Sequence, residues 1–276
     1  MADSQTKNIR KVALTSLAGT SIEWYDFFLY GTAAAIIFPK AFFPSDMPAM
    51  VALIASFSTF AVGFLARPLG GIIFGHFGDR VGRKQTLVLA LLIMGTSTTL
   101  IGLLPTYATI GYIAPLILVL LRFVQGLAIG GQWGGAMLLV TESAPADKRG
   151  WYGAYAQAGA PVGVILANLA FLGVSGSMSE DAFLDWGWRL PFLASIVLIG
   201  VSLYVQLNLE DTEAFKKLAN NQSEGSIEDT PIRRSPIVEV IVNYPKRIFL
   251  AAGAFLSIQV TFYILIAFIM AYGVNS

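Results

Sequence analysis

Seven apolar stretches, each long enough to cross a bilayer, decide what this chain can fold into. They run near residues 12–38, 49–75, 86–104, 114–140, 151–173, 190–209 and 248–272. A spanning helix needs about 20 apolar residues, and hydrocarbon offers a backbone amide no partner outside the protein, which leaves helices or closed barrels. The runs are continuous rather than alternating and longer than barrel strands, so they predict helices. Composition agrees, with 55% hydrophobic and 13% charged residues against about 25% charged in a soluble domain. The expected fold class is an all-α membrane protein embedded in a lipid bilayer.

Several function classes fall away at once. A net charge of +1 gives nucleic acid no footing, so no nucleic-acid partner is expected. Cysteine is absent and histidine occurs once, which removes disulfides, thiolate metal sites and most triads. With no nucleophile–base pair and no metal cluster, the chain is expected not to be an enzyme and to need no metal or cofactor. Lys7, Arg10 and Lys11 imitate the start of a signal peptide, but Glu23 and Asp26 interrupt what would be its apolar core.

Basic residues orient the spans. Lys7, Arg10 and Lys11 precede the first run, Arg80, Arg83 and Lys84 follow the second, and Lys148 and Arg149 follow the fourth. Lys216, Lys217, Arg233, Arg234, Lys246 and Arg247 lie between the sixth and seventh. The alternate loops are nearly free of them. The positive-inside rule then predicts a multi-pass protein of the plasma (inner) membrane with its N-terminus in the cytoplasm. Four segments follow: a cytoplasmic N-terminus (1–11), a six-helix block (12–209), a polar cytoplasmic linker (210–247), and a seventh span with the C-terminus (248–276).

Charge inside a span costs about 2.5–3.5 kcal/mol on the mildest scale and calls for a reason. Gly19, Glu23, Asp26 and Tyr30 recur at i, i+4, i+7 and i+11 and share one helix face. At about 1.5 Å per residue, Glu23 and Asp26 lie roughly 16 and 21 Å into the first span. Arg122, descending in the fourth, falls at about the same depth. A carboxylate there is pulled two ways, by desolvation favouring the neutral acid and by the Arg favouring the anion. Such a group can load and release a proton, with Asp26 the first candidate and Glu23 the second. A static ion pair that only registers two helices is the competing account.

Gln125, Gln132, Trp133, Gln157 and Asn168 are further polar or amphipathic residues within spans, able to bind substrate or another helix. Arg67 counts out near the inner end of the second span, which favours snorkelling or a structural pair. Gly126, Gly130 and Gly134 clear one face of the fourth span for a neighbouring helix, and Gly159 and Gly163 do so on the fifth, around Pro161.

Gly75-His76-Phe77-Gly78-Asp79-Arg80-Val81-Gly82-Arg83-Lys84 closely resembles the loop signature of the major facilitator superfamily. Local chemistry supports the likeness: Asp79 can cap the third helix, Gly78 and Gly82 permit a tight turn, and Arg83 can reach Glu142 at the foot of the fourth. Arg122-Phe123-Val124-Gln125-Gly126 resembles the superfamily's fourth-helix motif. Glu23-Trp24-Tyr25-Asp26-Phe27, Gly130-Gly131-Gln132-Trp133-Gly134-Gly135 and Trp186-Gly187-Trp188-Arg189-Leu190-Pro191-Phe192 are similar to its metabolite:proton symporter family.

The resemblance implies an N-terminal six-helix bundle, a linker and a seventh transmembrane helix, and proton-coupled symport of a small organic acid or zwitterion. It implies a cytoplasmic gate of Gly75, Asp79, Arg80, Gly82, Arg83, Lys84, Glu142 and Arg149. It places proton and substrate around Glu23, Asp26, Tyr30, Arg122, Gln125, Gln132, Trp133, Gln157 and Asn168, with the proton as coupling ion. Two departures bear on this. The family usually has Glu where this chain has Gln132, and it has twelve helices where this sequence stops after seven. The expectation is a chain lacking the second half, for which a second chain could substitute. A non-transporting half-transporter is an alternative. A seven-helix receptor is another, though the last run holds no lysine for retinal and that reading leaves the Asp79 signature unexplained.

Overall fold

The computed structural model describes residues 2–81, 83–207 and 242–263, and the chain divides into two compact units, Met1–Glu224 and Gly225–Ser276. Six long helices build the first unit: α1 (Ala2–Ile36), α2 (Ala49–Val81), α3 (Arg83–Leu103), α4 (Ile113–Ser143), α5 (Arg149–Ser175) and α6 (Arg189–Leu207). The second unit holds α7 (Pro245–Tyr263). Breaks fall where the chain cannot continue a helix. Pro44 and Pro48 lie between α1 and α2, Pro105 and a left-handed Gly111 (φ 58°) between α3 and α4, and Pro145 after α4.

Among the described residues, four helices are long and apolar enough to cross a membrane, and a fifth span forms if the short Glu180–Gly187 stretch, bent by 51° from α6, is counted with it. This is fewer than the seven runs predicted. α1, at 35 residues, is long enough, but Thr15, Ser16, Thr20, Ser21, Glu23 and Asp26 lower its average while being buried against neighbouring helices. The seventh run extends past residue 263 and lies partly outside the described residues. Of the predicted linker 210–247, residues 210–241 lie outside them, and its last three residues, Pro245, Lys246 and Arg247, already belong to α7.

Two close pairs organise the first unit: α1 packs chiefly on α5 and α2 on α4, while α3 packs on α4 and α6. Glycines make the pairs possible. A Cβ at Gly163 would stand 2.6 Å from the Tyr25 amide nitrogen and 2.7 Å from the Ser21 carbonyl. A Cβ at Gly126 or Gly130 would collide with the Gly63 or Arg67 carbonyl. The cleared face of α4 is therefore the seat of α2. Gly134 lies among residues whose side-chain surroundings are not described.

One end of the bundle is closed by the Trp188–Arg189–Pro191–Phe192 stretch. Trp188 and Phe192 are fully buried with Phe38 and Phe42. Arg189 Nη1 donates to the Gly102 and Leu104 carbonyls at 2.9 and 2.7 Å, groups that the end of α3 leaves without helical partners. Tyr25 Oη donates to the Pro191 carbonyl at 2.7 Å, tying α1 to α6. Outside, Leu65, Leu116, Leu120, Leu172 and Val197 are exposed, a surface suited to lipid rather than water.

Candidate functional site

α1 presents its acids along adjoining tracks. Asp26 and Tyr30 meet α4; Phe27, one turn from Glu23, meets Phe60, Phe64 and Arg67 of α2. Glu23, Asp26, Tyr30, Arg122 and Gln125 are all buried.

Arg122 Nη1 lies 3.7 Å from Asp26 Oδ2. It also donates to Gln125 Oε1 at 3.2 Å. Gln125 Nε2 in turn reaches both Asp26 oxygens, at 3.2 and 3.3 Å, and Thr98 Oγ1 at 2.8 Å. The Thr98 hydroxyl donates to Asp26 Oδ1 and also has the Met94 carbonyl within 2.9 Å. Asp26 thus collects donors from α3 and α4 together with a nearby positive charge.

The guanidinium plane is sandwiched as well. Arg122 Cζ lies 4.2 Å from the Tyr30 ring centroid and 4.7 Å from that of Phe60, cation–π distances both. Tyr30 Oη is held by Thr59 Oγ1 at 2.7 Å. Gly63 leaves the room, since a Cβ there would stand 2.7 Å from Arg122 Nε. The arrangement can store a proton or a charge out of water and change partners when either arrives.

Glu23 answers to a different cation. Arg67 and Asp26 are charged groups close enough to act on it. Its Oε2 is buried without a hydrogen-bond partner among the described residues. Arg67 lies over the Phe27 and Phe64 rings, at 5.3 and 4.6 Å.

Of the remaining predicted residues, those with described side chains stand apart from this cluster. Gln157 and Asn168 lie on an exposed face of α5, and the Asn168 amide donates back to the Val164 carbonyl at 3.0 Å. Gln132 and Trp133 lie on α4, but their side chains fall outside the described residues, as do those of Asp79, Arg80, Gly82, Arg83, Lys84 and Glu142. Asp79 sits in the last turn of α2, which runs to Val81. Gly75 has open space around its Cα, Gly78 faces Thr86, and Arg149 opens α5 exposed. Two participants were missed: Thr98, whose signal was the polar run Ser97-Thr98-Thr99 inside an apolar helix, and Arg67, placed too near a helix end.

A compact helical unit with a buried acid–arginine pair between its first and fourth helices is the N-terminal bundle of a major facilitator transporter. Residues 11–231 match the family described as "Sugar (and other) transporter", and the chain belongs to that family. It is a family of membrane transporters, not enzymes. The chain is 47% identical over 262 residues to the inner membrane metabolite transport protein YhjE of Escherichia coli strain K12, covering 95% of this chain and 58% of that one. It is 44% identical to the shikimate transporter of the same strain (97% and 59%). With the proline/betaine transporter of Salmonella typhimurium strain LT2 it shares 37% (96% and 53%). The chain thus spans a little over half the length of these curated relatives. Among solved structures, the proton:xylose symporter XylE bound to 6-bromo-6-deoxy-D-glucose superposes with a TM-score of 0.69 at 16% identity, over 79% of this chain and 48% of that one. This likeness concerns the fold.

Proposed function

We propose that this chain supplies the N-terminal bundle of a proton-coupled symporter for a small organic carboxylate or zwitterion. The observation that carries the reading is the enclosed Asp26–Arg122 pair, bridged by Gln125 and braced by Thr98. Protonating Asp26 removes the charge that holds Arg122, and its donors must rearrange; α1, α3 and α4 all feel the change. That is a two-state element which a proton biases. Relatives named as metabolite, shikimate and proline/betaine transporters support the substrate class.

The cycle is alternating access: this bundle rocks against a second one, supplied by further sequence or by a partner chain. The N-terminus lies in the cytoplasm, where the Asp79 loop, Glu142 and Arg149 hold the inner side closed while the site faces out. A proton crossing 100 mV supplies about 2.3 kcal/mol, enough for roughly fifty-fold accumulation. Uptake of labelled shikimate or α-ketoglutarate into proteoliposomes under an imposed pH gradient tests this. Uptake that a protonophore collapses is the expected result; uptake indifferent to the protonophore would refute proton coupling.

A further inference from the structure

We infer that Arg67, and not the enclosed Arg122, anchors the substrate carboxylate, and that the substrate has a flat or ring-shaped carbon frame. This rests on the transport reading above. Arg122 is sealed by Asp26, Gln125 and two aromatic faces, with 1% of its surface exposed. A ligand could reach it only by dismantling that shell. Arg67 is half-buried beside the same aromatic group, so a ligand can approach its edge while the ring faces of Phe27 and Phe64 steady its plane. A planar guanidinium held this way suits bidentate binding of a carboxylate.

The surroundings select the rest of the ligand. Trp24 and Phe28 stack at 5.7 Å, and both remain partly exposed next to Phe27. They form an apolar wall onto which a small ring can lie. Pro68, inside α2, cannot bond back to the Phe64 carbonyl. Glu23 supplies a negative charge that acts on Arg67. Its Oε2 is buried without a hydrogen-bond partner among the described residues, and an arriving carboxylate would compete with Glu23 for Arg67.

Equilibrium binding of labelled shikimate to the purified 276-residue chain in detergent, at one pH and without a gradient, tests the assignment. Its methyl ester serves as the uncharged competitor. Arg67→Gln should weaken shikimate binding by about tenfold or more while leaving the ester within about twofold, and Arg67→Lys should fall between. Glu23→Gln should bind shikimate more tightly than the unmodified chain, a gain that misfolding cannot produce. Shikimate binding unchanged in Arg67→Gln, equal losses for acid and ester, weaker binding by Glu23→Gln, or no preference for acid over ester in the unmodified chain would each overturn the anchor. α-Ketoglutarate should compete less well than shikimate, and equal competition would overturn the ring-shaped frame. No gradient enters this assay, so it can fail while proton-driven uptake stands, and hold while uptake fails.

Discussion

Arg122 and Asp26 face each other across the α1–α4 interface at 3.7 Å, too far for a direct hydrogen bond, and Gln125 closes the gap from both sides. A pair held through a third residue can part without leaving either charge bare. That separates this site from a rigid buried salt bridge, whose breaking leaves an uncompensated charge.

The bridge should be cooperative. Gln125→Leu and Thr98→Val each remove a donor from Asp26 and should each cost about 1–3 kcal/mol. Because they serve the same carboxylate, the double variant should depart from the sum by about 0.5 kcal/mol or more. Thermal unfolding in detergent of the two singles and the double measures the coupling. Strict additivity would show that the two side chains act independently.

Much of this site was legible because helical periodicity and depth are simple arithmetic. Gly19, Glu23, Asp26 and Tyr30 share a face by spacing alone, and counting residues down two antiparallel spans brings Arg122 level with the acids. Arg67 defeated the same arithmetic. α2 continues to Val81 rather than stopping near Gly75, so Arg67 sits about 21 Å from its end. Thr98 was hidden for another reason, since a threonine can bond within its own helix and then looks apolar. The glycines of α4 announced a close neighbour, but only the fold shows that it is α2.

Helix seating by glycine should show a sharp positional contrast. Gly163→Ala drives a methyl group into the α1 backbone at Tyr25 and Ser21 and should cost about 1–3 kcal/mol. Gly173→Ala, on the same helix with nothing within 4 Å, should be neutral or stabilising by about 0.4–1 kcal/mol. The same unfolding assay compares them, and equal effects would contradict the packing account.

Arg189 should matter as a cap rather than as a charge. Arg189→Gln removes donors from the Gly102 and Leu104 carbonyls, with an expected loss of about 1–3 kcal/mol. Because its hydrogen bonds go to backbone carbonyls, most of the loss should persist in high salt, which screens only its attraction to Asp185. A salt-sensitive effect would point to a partner of opposite charge instead.

The central claim is that Asp26 carries the coupling proton, and proton-driven uptake by Asp26→Asn tests it most directly. Reconstituted beside the unmodified chain, the variant should lose accumulation of labelled substrate driven by a pH gradient while still exchanging internal for external substrate. Accumulation equal to that of the unmodified chain would contradict the account, and the Asp26–Arg122 pair would then be structural.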